Sequence, residues 1–411
     1  MLPDFMAGDL ERRIWRVGQA ESKQCVVKGG VGSQPATCPQ LMPVANAYAF
    51  RAGYLEAARL ESLLTVSPPN LLGIVLHDRG HRELRGVAAA PSVCLDLPQF
   101  HGAPLAEVWT STLPVTYHRT EGIRYAMNDD VIFGAMELEE TPDTLLDTLT
   151  YAAYRRLLVQ TSNLGYPHLL RVWNYFPRIN LKLNGMERYQ RFCAGRHQAL
   201  AECRTDFHRV LPAATAIGTM SGPLQIHFLA GRRPGTHVEN PRQVSAYHYP
   251  RMYSPESPSF ARATLRPSNS GSHLLISGTA SVVGHVSEHI GEPRKQTVEI
   301  VHNLNALIMH TEQLHGIARG QWCGQALFKI YIRHPAHYPL VRDILNDQLP
   351  AHTQVQYLQG DMCRSELLVE VEGILSQDTT IDASHRVSPA RTRVSQPAAS
   401  QHAQLSHVKI V

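Results

Sequence analysis

The order of strand-like and helix-like segments repeats along the chain, and this order constrains the fold more than any single motif. Strand patterns between residues 71 and 139 precede a helix pattern that ends near residue 165. Further strand patterns between residues 213 and 283 precede a helix pattern from residue 293 to about residue 313. Strands followed by a packed helix are typical of α+β folds. Two successive units of this order predict a duplicated α+β fold with a ligand cleft between the units.

Composition narrows the class of protein. Charged residues make up 18% of the 411 residues and hydrophobic residues 43%, which is typical of a soluble globular protein. The net charge of +4 is small and its basic residues are scattered, which weighs against nucleic acid as a partner. No run of about 18 apolar residues occurs, so no membrane partner is expected. The N-terminal residues 1–13 lack the pattern of a signal peptide, which predicts a cytoplasmic location.

Patterning predicts four segments: a loosely structured leader (1–44), an N-terminal α+β domain (45–165), a C-terminal domain (166–375) and a disordered tail (376–411). The leader mixes Gly, Pro, Ser and Gln without steady periodicity, and the tail is rich in Ser, Gln, Thr, His and Ala. The seven cysteines include no C-x-x-C pair, so neither a disulfide framework nor a zinc ribbon is indicated.

A helix pattern at residues 185–203 carries an arginine on its apolar stripe. Tyr189, Cys193, Arg196 and Leu200 fall on one side at helical spacing, so Arg196 stands where an apolar residue would be expected. A buried guanidinium needs a partner, because an unpaired buried cation is costly. That partner is either a carboxylate of the protein or a carboxylate of a ligand, and this pattern alone leaves both open.

Residues 239–253 contain two arginines, Arg242 and Arg251, among three tyrosines. If the chain is extended here, Tyr247, Tyr249 and Arg251 share one face. Guanidinium groups and phenols on one face suit a flat anionic ligand, and a solvated strand edge is the alternative.

Residues 366–372 alternate, with Glu370 and Glu372 on the same face of a predicted strand. If that face lines a partly dry cleft, desolvation raises the pKa of such a glutamate and makes it a proton donor near neutral pH. Simple exposure to solvent is the alternative.

The segment from His285 to His289 matches the H-x-x-E-H pattern of one class of zinc peptidases. That pattern needs a helix to bring both imidazoles to one face, but Gly284 precedes it, and Gly291 and Pro293 follow. A helix is therefore disfavoured, no metal is expected, and zinc chemistry is kept only as the alternative enzyme hypothesis.

Seven segments between about residues 165 and 372 resemble the chorismatases, enzymes that release pyruvate from chorismate. These segments are residues 171–180, 188–196, 228–232, 238–247, 259–263, 276–281 and 361–370. The resemblance implies two α+β domains similar to RidA/YjgF proteins and to the trimeric type of chorismate mutase, with the active site between them. It also implies that chorismate, a dicarboxylate, is bound in an arginine-rich pocket without a cofactor.

The resemblance further implies roles for individual residues. Glu370 matches the glutamate that protonates the methylene carbon of the enolpyruvyl ether. Cys363 and Gly278 match positions that separate hydroxybenzoate-forming members from hydrolysing ones. The residues matched to substrate binding are Tyr189, Arg196, Arg242, Tyr249, Arg251 and Gly278.

The sequence therefore predicts a chorismatase that makes 3-hydroxybenzoate and pyruvate, with 4-hydroxybenzoate as an expected second product. One alternative is a chorismate hydrolase that gives a dihydroxycyclohexadiene carboxylate. A second alternative is a non-catalytic RidA-like module that binds a metabolite. The product ratio, the downstream pathway and the oligomeric state are left open.

Overall fold

Two six-stranded sheets with the same topology form the centre of the structure. The computed structural model describes residues 48–65, 70–77, 89–120, 122–141, 144–205, 207–268, 271–322, 324–350 and 352–377. The predicted leader, residues 1–44, and residues 378–411 of the predicted tail lie outside these ranges. No helix in the described ranges is both long enough and apolar enough to cross a membrane.

The first repeat contains one six-stranded sheet, a small hairpin and two helices. Its elements in chain order are β5 (Thr116–Thr120), β6 (Ile123–Met127), β7 (Val131–Leu138), α2 (Leu146–Asn163), β8 (His168–Pro177), the hairpin strands β9 (Lys182–Leu183) and β10 (Met186–Glu187), α3 (Arg188–Cys203), β11 (Ala213–Thr219) and β12 (Leu224–Gly231). The sheet order is β11-β8-β12-β7-β6-β5.

The second repeat contains the same kinds of element: one six-stranded sheet, a small hairpin and two helices. Its elements are β13 (Thr236–Val238), β14 (Ala263–Ser268), β15 (Gly271–Ala280), the short strands β16 (Val282–Val283) and β17 (Val286–Ser287), α4 (Pro293–His315), β18 (Ala326–Ile332), α5 (Tyr338–Gln348), β19 (Gln354–Gln359) and β20 (Val369–Ser376). The sheet order is β13-β14-β15-β20-β18-β19.

The two sheets correspond strand by strand. In each, the strand after the first helix pairs in parallel with the strand after the second helix, as β8 does with β11 and β18 with β19. The other neighbours in each sheet pair antiparallel. The duplicated α+β fold predicted from the sequence is therefore confirmed.

The predicted division at residue 165 falls inside the first repeat. Strand β8, which begins at His168, lies between β11 and β12 in the sheet that β5–β7 begin. The change from the first repeat to the second lies between Gly231 and Thr236, where β12 ends and β13 begins. Sequence patterning could not show this, because it does not reveal which strands pair.

Each repeat covers one face of its sheet with its own helices, and the other faces meet. Apolar residues of α2 and α3 pack on the first sheet, and those of α4 and α5 pack on the second. Between the sheets, Trp173 and Tyr175 of β8 share a core with Tyr331 of β18. The hydroxyl groups of Tyr175 and Tyr331 are 2.9 Å apart and form a hydrogen bond.

A third sheet precedes the two repeats and contacts both. It consists of β1 (Arg51–Glu56), β2 (Leu71–Leu76), β3 (Ser92–Cys94) and β4 (Leu105–Thr110) in the order β1-β4-β2-β3, with helix α1 (Ala57–Thr65) after β1. Phe50 and Trp109 pack into the core between the repeats. The hydroxyl of Tyr54 donates to the carbonyl of Phe328 in β18 at 3.0 Å.

The extended chain on which Tyr247, Tyr249 and Arg251 would share one face is not formed. Ala246–His248 form a 3-10 turn, in which the amides of His248 and Tyr249 donate to carbonyls three residues earlier at 2.8 and 3.1 Å. Side chains therefore do not alternate with a period of two, and Tyr249 is buried while Arg251 is exposed.

Three histidines in the described core predict a loss of stability in mild acid. Burial lowers the pKa of His77 and of His227 well below the ordinary value, and it lowers the pKa of His273 to about 4. The folded protein keeps them neutral, whereas the unfolded chain protonates them below about pH 6.5. The stability that depends on these neutral histidines is therefore fully present above that pH and falls as the pH drops towards 4.

Thermal unfolding measured across this window tests the prediction. We expect the melting temperature to decline below about pH 6.5, because the free energy of unfolding falls by up to about 1.4 kcal/mol per histidine and pH unit. The variant His273→Phe should show a shallower decline than the parent protein. A melting temperature that is constant between about pH 7 and 5 would contradict the assignment.

Candidate active site

A cavity of about 260 Å³ lies between the two repeats. Its walls come from α3 and β11 of the first repeat and from β15, β20 and the segment before β20 in the second. Six of the eight residues that the sequence assigned to a site line this cavity. They are Tyr189, Arg196, Tyr249, Gly278, Cys363 and Glu370.

Glu370 is a buried carboxyl group that faces the cavity from β20. It lies opposite Ala280 of β15 and Tyr331 of β18 and is 5% exposed. Its side chain forms no hydrogen bond or ion pair with another described residue. Burial, and then the charge of Glu372, raise its pKa to about 8. Glu370 is therefore a protonated acid at neutral pH, which is the state a proton donor needs.

Gly278 leaves the space that the Glu370 carboxyl occupies. A Cβ atom on Gly278 would overlap with Oε1 of Glu370, so any larger residue requires the carboxyl to move. The amide of Gly278 donates to Oγ1 of Thr215 at 3.0 Å, which fixes this stretch of backbone against β11. The glycine thus determines where the acid lies.

Cys363 lines the cavity as a neutral thiol. Burial, followed by the nearby charge of Glu370, raises its pKa to about 12. A thiol with this pKa is a poor nucleophile, since the thiolate is the reactive form. The geometry therefore favours a role for the sulfur in filling space in the cavity.

Arg196 is buried in α3 without a partner carboxylate among the described residues. It is 3% exposed, its guanidinium lies 5.1 Å from the ring centre of Tyr154, and its Nε and Nη2 make no hydrogen bond. The other two buried arginines of α3 are paired, Arg188 with Glu140 and Arg191 with Asp147. Arg196 alone among the three lines the cavity. A ligand carboxylate is the partner that this arrangement favours.

Helix α3 can hold Arg196 here because it packs closely on α2. At Gly195 a Cβ atom would overlap with the backbone carbonyl of Asp147 at the start of α2. The glycine allows the two helices to approach, and the next residue, Arg196, then reaches the ring of Tyr154 in α2. The helix predicted at residues 185–203 is present as Arg188–Cys203.

Three further cations, Lys182, Arg262 and Arg364, line the cavity, and sequence reasoning did not assign them to the site. Arg262 donates to the hydroxyl of Tyr249 at 2.7 Å, while its Nε makes no hydrogen bond. Arg364 lies 4.0 Å from the ring centre of Tyr253 and donates to the carbonyl of His285 at 3.0 Å. One signal was available for Arg262, since it stands between two alanines in an apolar stretch.

Arg242 and Arg251 lie outside the residues that line the cavity. Arg242 forms an ion pair with Glu299 at 2.6 Å and donates to Oδ1 of Asn303 at 2.8 Å, both on α4. Arg251 is exposed in the turn that follows Tyr249. Neither position follows from the sequence pattern, which shows the charge of an arginine but not its nearest partner.

The H-x-x-E-H segment has no helix. Val286–Ser287 form β17, and His289 has a left-handed backbone with φ 58°. Nδ1 of His285 lies 3.1 Å from the hydroxyl of Tyr253, whereas Nε2 of His289 lies 3.4 Å from Oε2 of Glu299. The described residues contain no group of three or more His, Cys, Asp or Glu side chains arranged to hold a metal ion. The geometry that the zinc hypothesis requires is therefore missing.

Comparison with known proteins decides the family. Residues 107–230 match a family model described as chorismatase FkbO/Hyg5-like, N-terminal. A 3-hydroxybenzoate synthase of Streptomyces hygroscopicus is 36% identical over 330 residues, which cover 75% of this chain and 94% of that protein. The chain belongs to the chorismatase family.

Further relatives agree with this assignment. A protein named chorismatase from Streptomyces hygroscopicus is 35% identical over 311 residues, covering 74% of this chain and 89% of that one. A crystal structure of a chorismatase matches with a TM-score of 0.70 and 30% identity, over 80% of this chain and 99% of that one. The predicted α+β fold class, with two repeats of the same sheet topology, is thus confirmed for this chorismatase.

The unpaired state of Arg196 predicts an unusual effect on stability. The variant Arg196→Met removes a buried cation that has no carboxylate partner, so we expect the free energy of unfolding to stay within about 1 kcal/mol or to rise. The matched variant Arg188→Met breaks the pair with Glu140 and should lower that free energy by about 3 kcal/mol. Denaturant unfolding of both variants measures the difference. Equal losses would show that Arg196 has a protein partner.

Proposed function

We propose that this chorismatase converts chorismate to 3-hydroxybenzoate and pyruvate, with 4-hydroxybenzoate as a second product. The observation that carries the proposal is a buried, protonated Glu370 in a cavity lined by Arg196, Arg262 and Arg364. Chorismate has two carboxylates and an acid-labile enol ether, so it needs both cations and a proton donor. The relative named 3-hydroxybenzoate synthase supports the choice of product.

The first step is the transfer of the Glu370 proton to the methylene carbon of the enolpyruvyl group. The methylene becomes a methyl group, and the ether carbon becomes an oxocarbenium ion. The guanidinium groups hold the substrate by its carboxylates with the methylene carbon near the acid. Glu370, now a carboxylate, is left as the base for the following step.

The ring 4-hydroxyl completes the cleavage without water. Its oxygen attacks C3, the C3–oxygen bond of the ether breaks, and the electron pair of that bond leaves with pyruvate. The hydroxyl proton returns to Glu370. The resulting arene oxide opens at the C4–oxygen bond, C3 loses its hydrogen as a proton, and the oxygen on C3 gains one. Chorismate is thereby divided into 3-hydroxybenzoate and pyruvate, with every atom accounted for.

Cys363 supports this water-free route over the hydrolytic alternative. Its neutral thiol lines the cavity, and we assign it the role of filling space that a hydrolytic water would need. A hydrolase would use the same protonation by Glu370 and then add water to the cation. A non-catalytic binding module is disfavoured, since a pocket that only binds a dianion gains nothing from a buried carboxyl group such as Glu370.

Incubation of the purified protein with chorismate tests the proposed function directly. Separation of the aromatic products, together with an assay for pyruvate, should show equal amounts of hydroxybenzoate and pyruvate. Absence of pyruvate would exclude chorismate cleavage. A non-aromatic diol as the main product would support the hydrolase alternative. The cytoplasmic location expected from the sequence is also part of the proposal, and fractionation of cells tests it.

The proposed role of Glu370 as the proton donor predicts both an inactive variant and a pH profile. Glu370→Gln should lower kcat by at least about a thousandfold while chorismate still binds, because the amide cannot supply the proton. In the parent protein, kcat/KM should be constant below about pH 8 and fall about tenfold per unit above it, since deprotonation removes the acid. Retained activity in the variant would show that another group is the donor.

Cys363→Ala is expected to change the product. The smaller side chain leaves room for a water molecule beside the cation, so a larger share of the hydrolysed diol should form. Chromatographic quantification of diol and hydroxybenzoate measures this share. Cys203→Ala, at a partly buried cysteine on α3 that does not line the cavity, is the control that should keep the parental products. An unchanged ratio in the Cys363 variant would exclude water exclusion by the thiol.

A further inference from the structure

A second buried glutamate, Glu372, lies two residues after Glu370 on the same strand and is bound by neighbouring cations and hydrogen-bond donors. Its carboxylate accepts hydrogen bonds from Nη2 of Arg171 at 2.7 Å and Nε1 of Trp173 at 3.0 Å. It also pairs with Nζ of Lys329 at 2.7 Å and accepts from the hydroxyl of Tyr331 at 3.1 Å. Glu370 has no such partners, so two neighbouring glutamates lie in opposite environments.

Glu372 belongs to a closed cluster of four charges. Lys329 forms a second ion pair with Oε2 of Glu107 at 2.8 Å, so two cations balance two carboxylates. Each of the four residues is at most 4% exposed. Although burial opposes it, Lys329 and Arg171 hold the pKa of Glu372 below its ordinary value. Glu372 is thus a permanent anion at the pH at which Glu370 is an acid.

We propose that Glu372 is a positioning residue for the chorismatase reaction, a fixed negative charge that keeps Glu370 protonated and favours return of the proton after each turnover. This inference rests on the proposed function of Glu370. Glu372 does not line the cavity and therefore acts on the substrate only through Glu370.

After the larger effect of burial, the charge of Glu372 is what raises the pKa of Glu370. Arg171, Arg262 and Arg333 all favour ionised Glu370, and Glu372 is the carboxylate that opposes them. Arg333 is engaged by Asp361 at 2.6 Å, and Arg171 by Glu372 itself. The other titratable groups that face the two glutamates are Tyr54, Tyr175, Tyr331 and Cys363, whose pKa values burial raises, so they stay neutral. Loss of the Glu372 charge would leave Arg171 and Lys329 opposed only by Glu107.

The cluster also reaches the backbone beside the acid. Nη2 of Arg171 donates to Oγ1 of Thr215 at 2.5 Å, and the same oxygen accepts from the amide of Gly278. Gly278 is the residue against which the Glu370 carboxyl lies. The same arginine thus contacts the fixed anion and supports the wall that positions the acid.

The variant Glu372→Gln separates charge from shape. Glutamine keeps the size and an acceptor oxygen but removes the charge, so Glu370 should lose its proton at lower pH. We expect the alkaline limb of kcat/KM to move down by about one pH unit or more. At about pH 8, kcat/KM should fall at least about fivefold, while at about pH 5.5 kcat should lie within about threefold of the parent value with KM little changed.

Two control variants distinguish an effect of the Glu372 charge from a purely structural effect. Glu372→Asp keeps the charge and should restore the alkaline limb towards its parental position. Glu312→Gln neutralises a buried glutamate of α4 that does not line the cavity, and it should leave the profile unchanged. A purely structural role for Glu372 predicts an equal loss of kcat at every pH. That result, or an unmoved limb in Glu372→Gln, overturns the inference.

Glu107→Gln provides the same test if Glu372→Gln does not fold. It removes an anion from the far side of Lys329 and can keep the hydrogen bond from Nε1 of Trp109 to Oε1. The added net positive charge should move the limb in the same direction by a smaller amount, and an unmoved limb in a folded variant overturns the inference. Absence of turnover in the parent protein would instead contradict the proposed function, so the two failures are distinguishable.

Discussion

The buried cluster of Glu107, Arg171, Lys329 and Glu372 is the interaction on which the rest of the structure depends. Its members come from three different sheets, with Glu107 on β4, Arg171 on β8, and Lys329 and Glu372 on β18 and β20. Buried ion pairs add little stability compared with apolar residues of similar size, yet loss of one partner is costly. Such a cluster fixes the relative placement of the sheets more than it strengthens them, and the cavity lies between two of those sheets.

This cluster explains why two glutamates on one strand have different ionisation states. Glu372 has its cations and is ionised, while Glu370 has no direct partner and holds a proton. Environment alone separates their roles, since the side chains are chemically identical. Burial of Glu370 costs folding free energy, and the same burial produces the acid that cleavage of an enol ether requires. Arg196 is a similar case. Its buried charge has no carboxylate partner among the described residues and is therefore available to a ligand.

Sequence patterning predicted the duplicated α+β order, the helix of Arg196 and the face shared by Glu370 and Glu372. Resemblance to a family predicted six of the residues that line the cavity. Neither could predict β4, because its central residue Glu107 is charged and its partner Lys329 lies more than 200 residues away. The same limit applies to Arg242, which pairs with Glu299, and to Arg262, which lines the cavity. A one-dimensional pattern records residue type and period, whereas the partner of a charge is decided by tertiary contacts.

The most direct test of the central claim is the ionisation of Glu370 in the resting enzyme. Glutamate labelled with ¹³C at the carboxyl carbon allows NMR titration, and the resonances absent from Glu370→Gln and from Glu372→Gln identify the two residues. The account predicts that the Glu370 resonance titrates near pH 8 while that of Glu372 shows an ionised carboxylate at neutral pH. A Glu370 resonance that titrates at or below the ordinary glutamate pKa of 4.5 would contradict it.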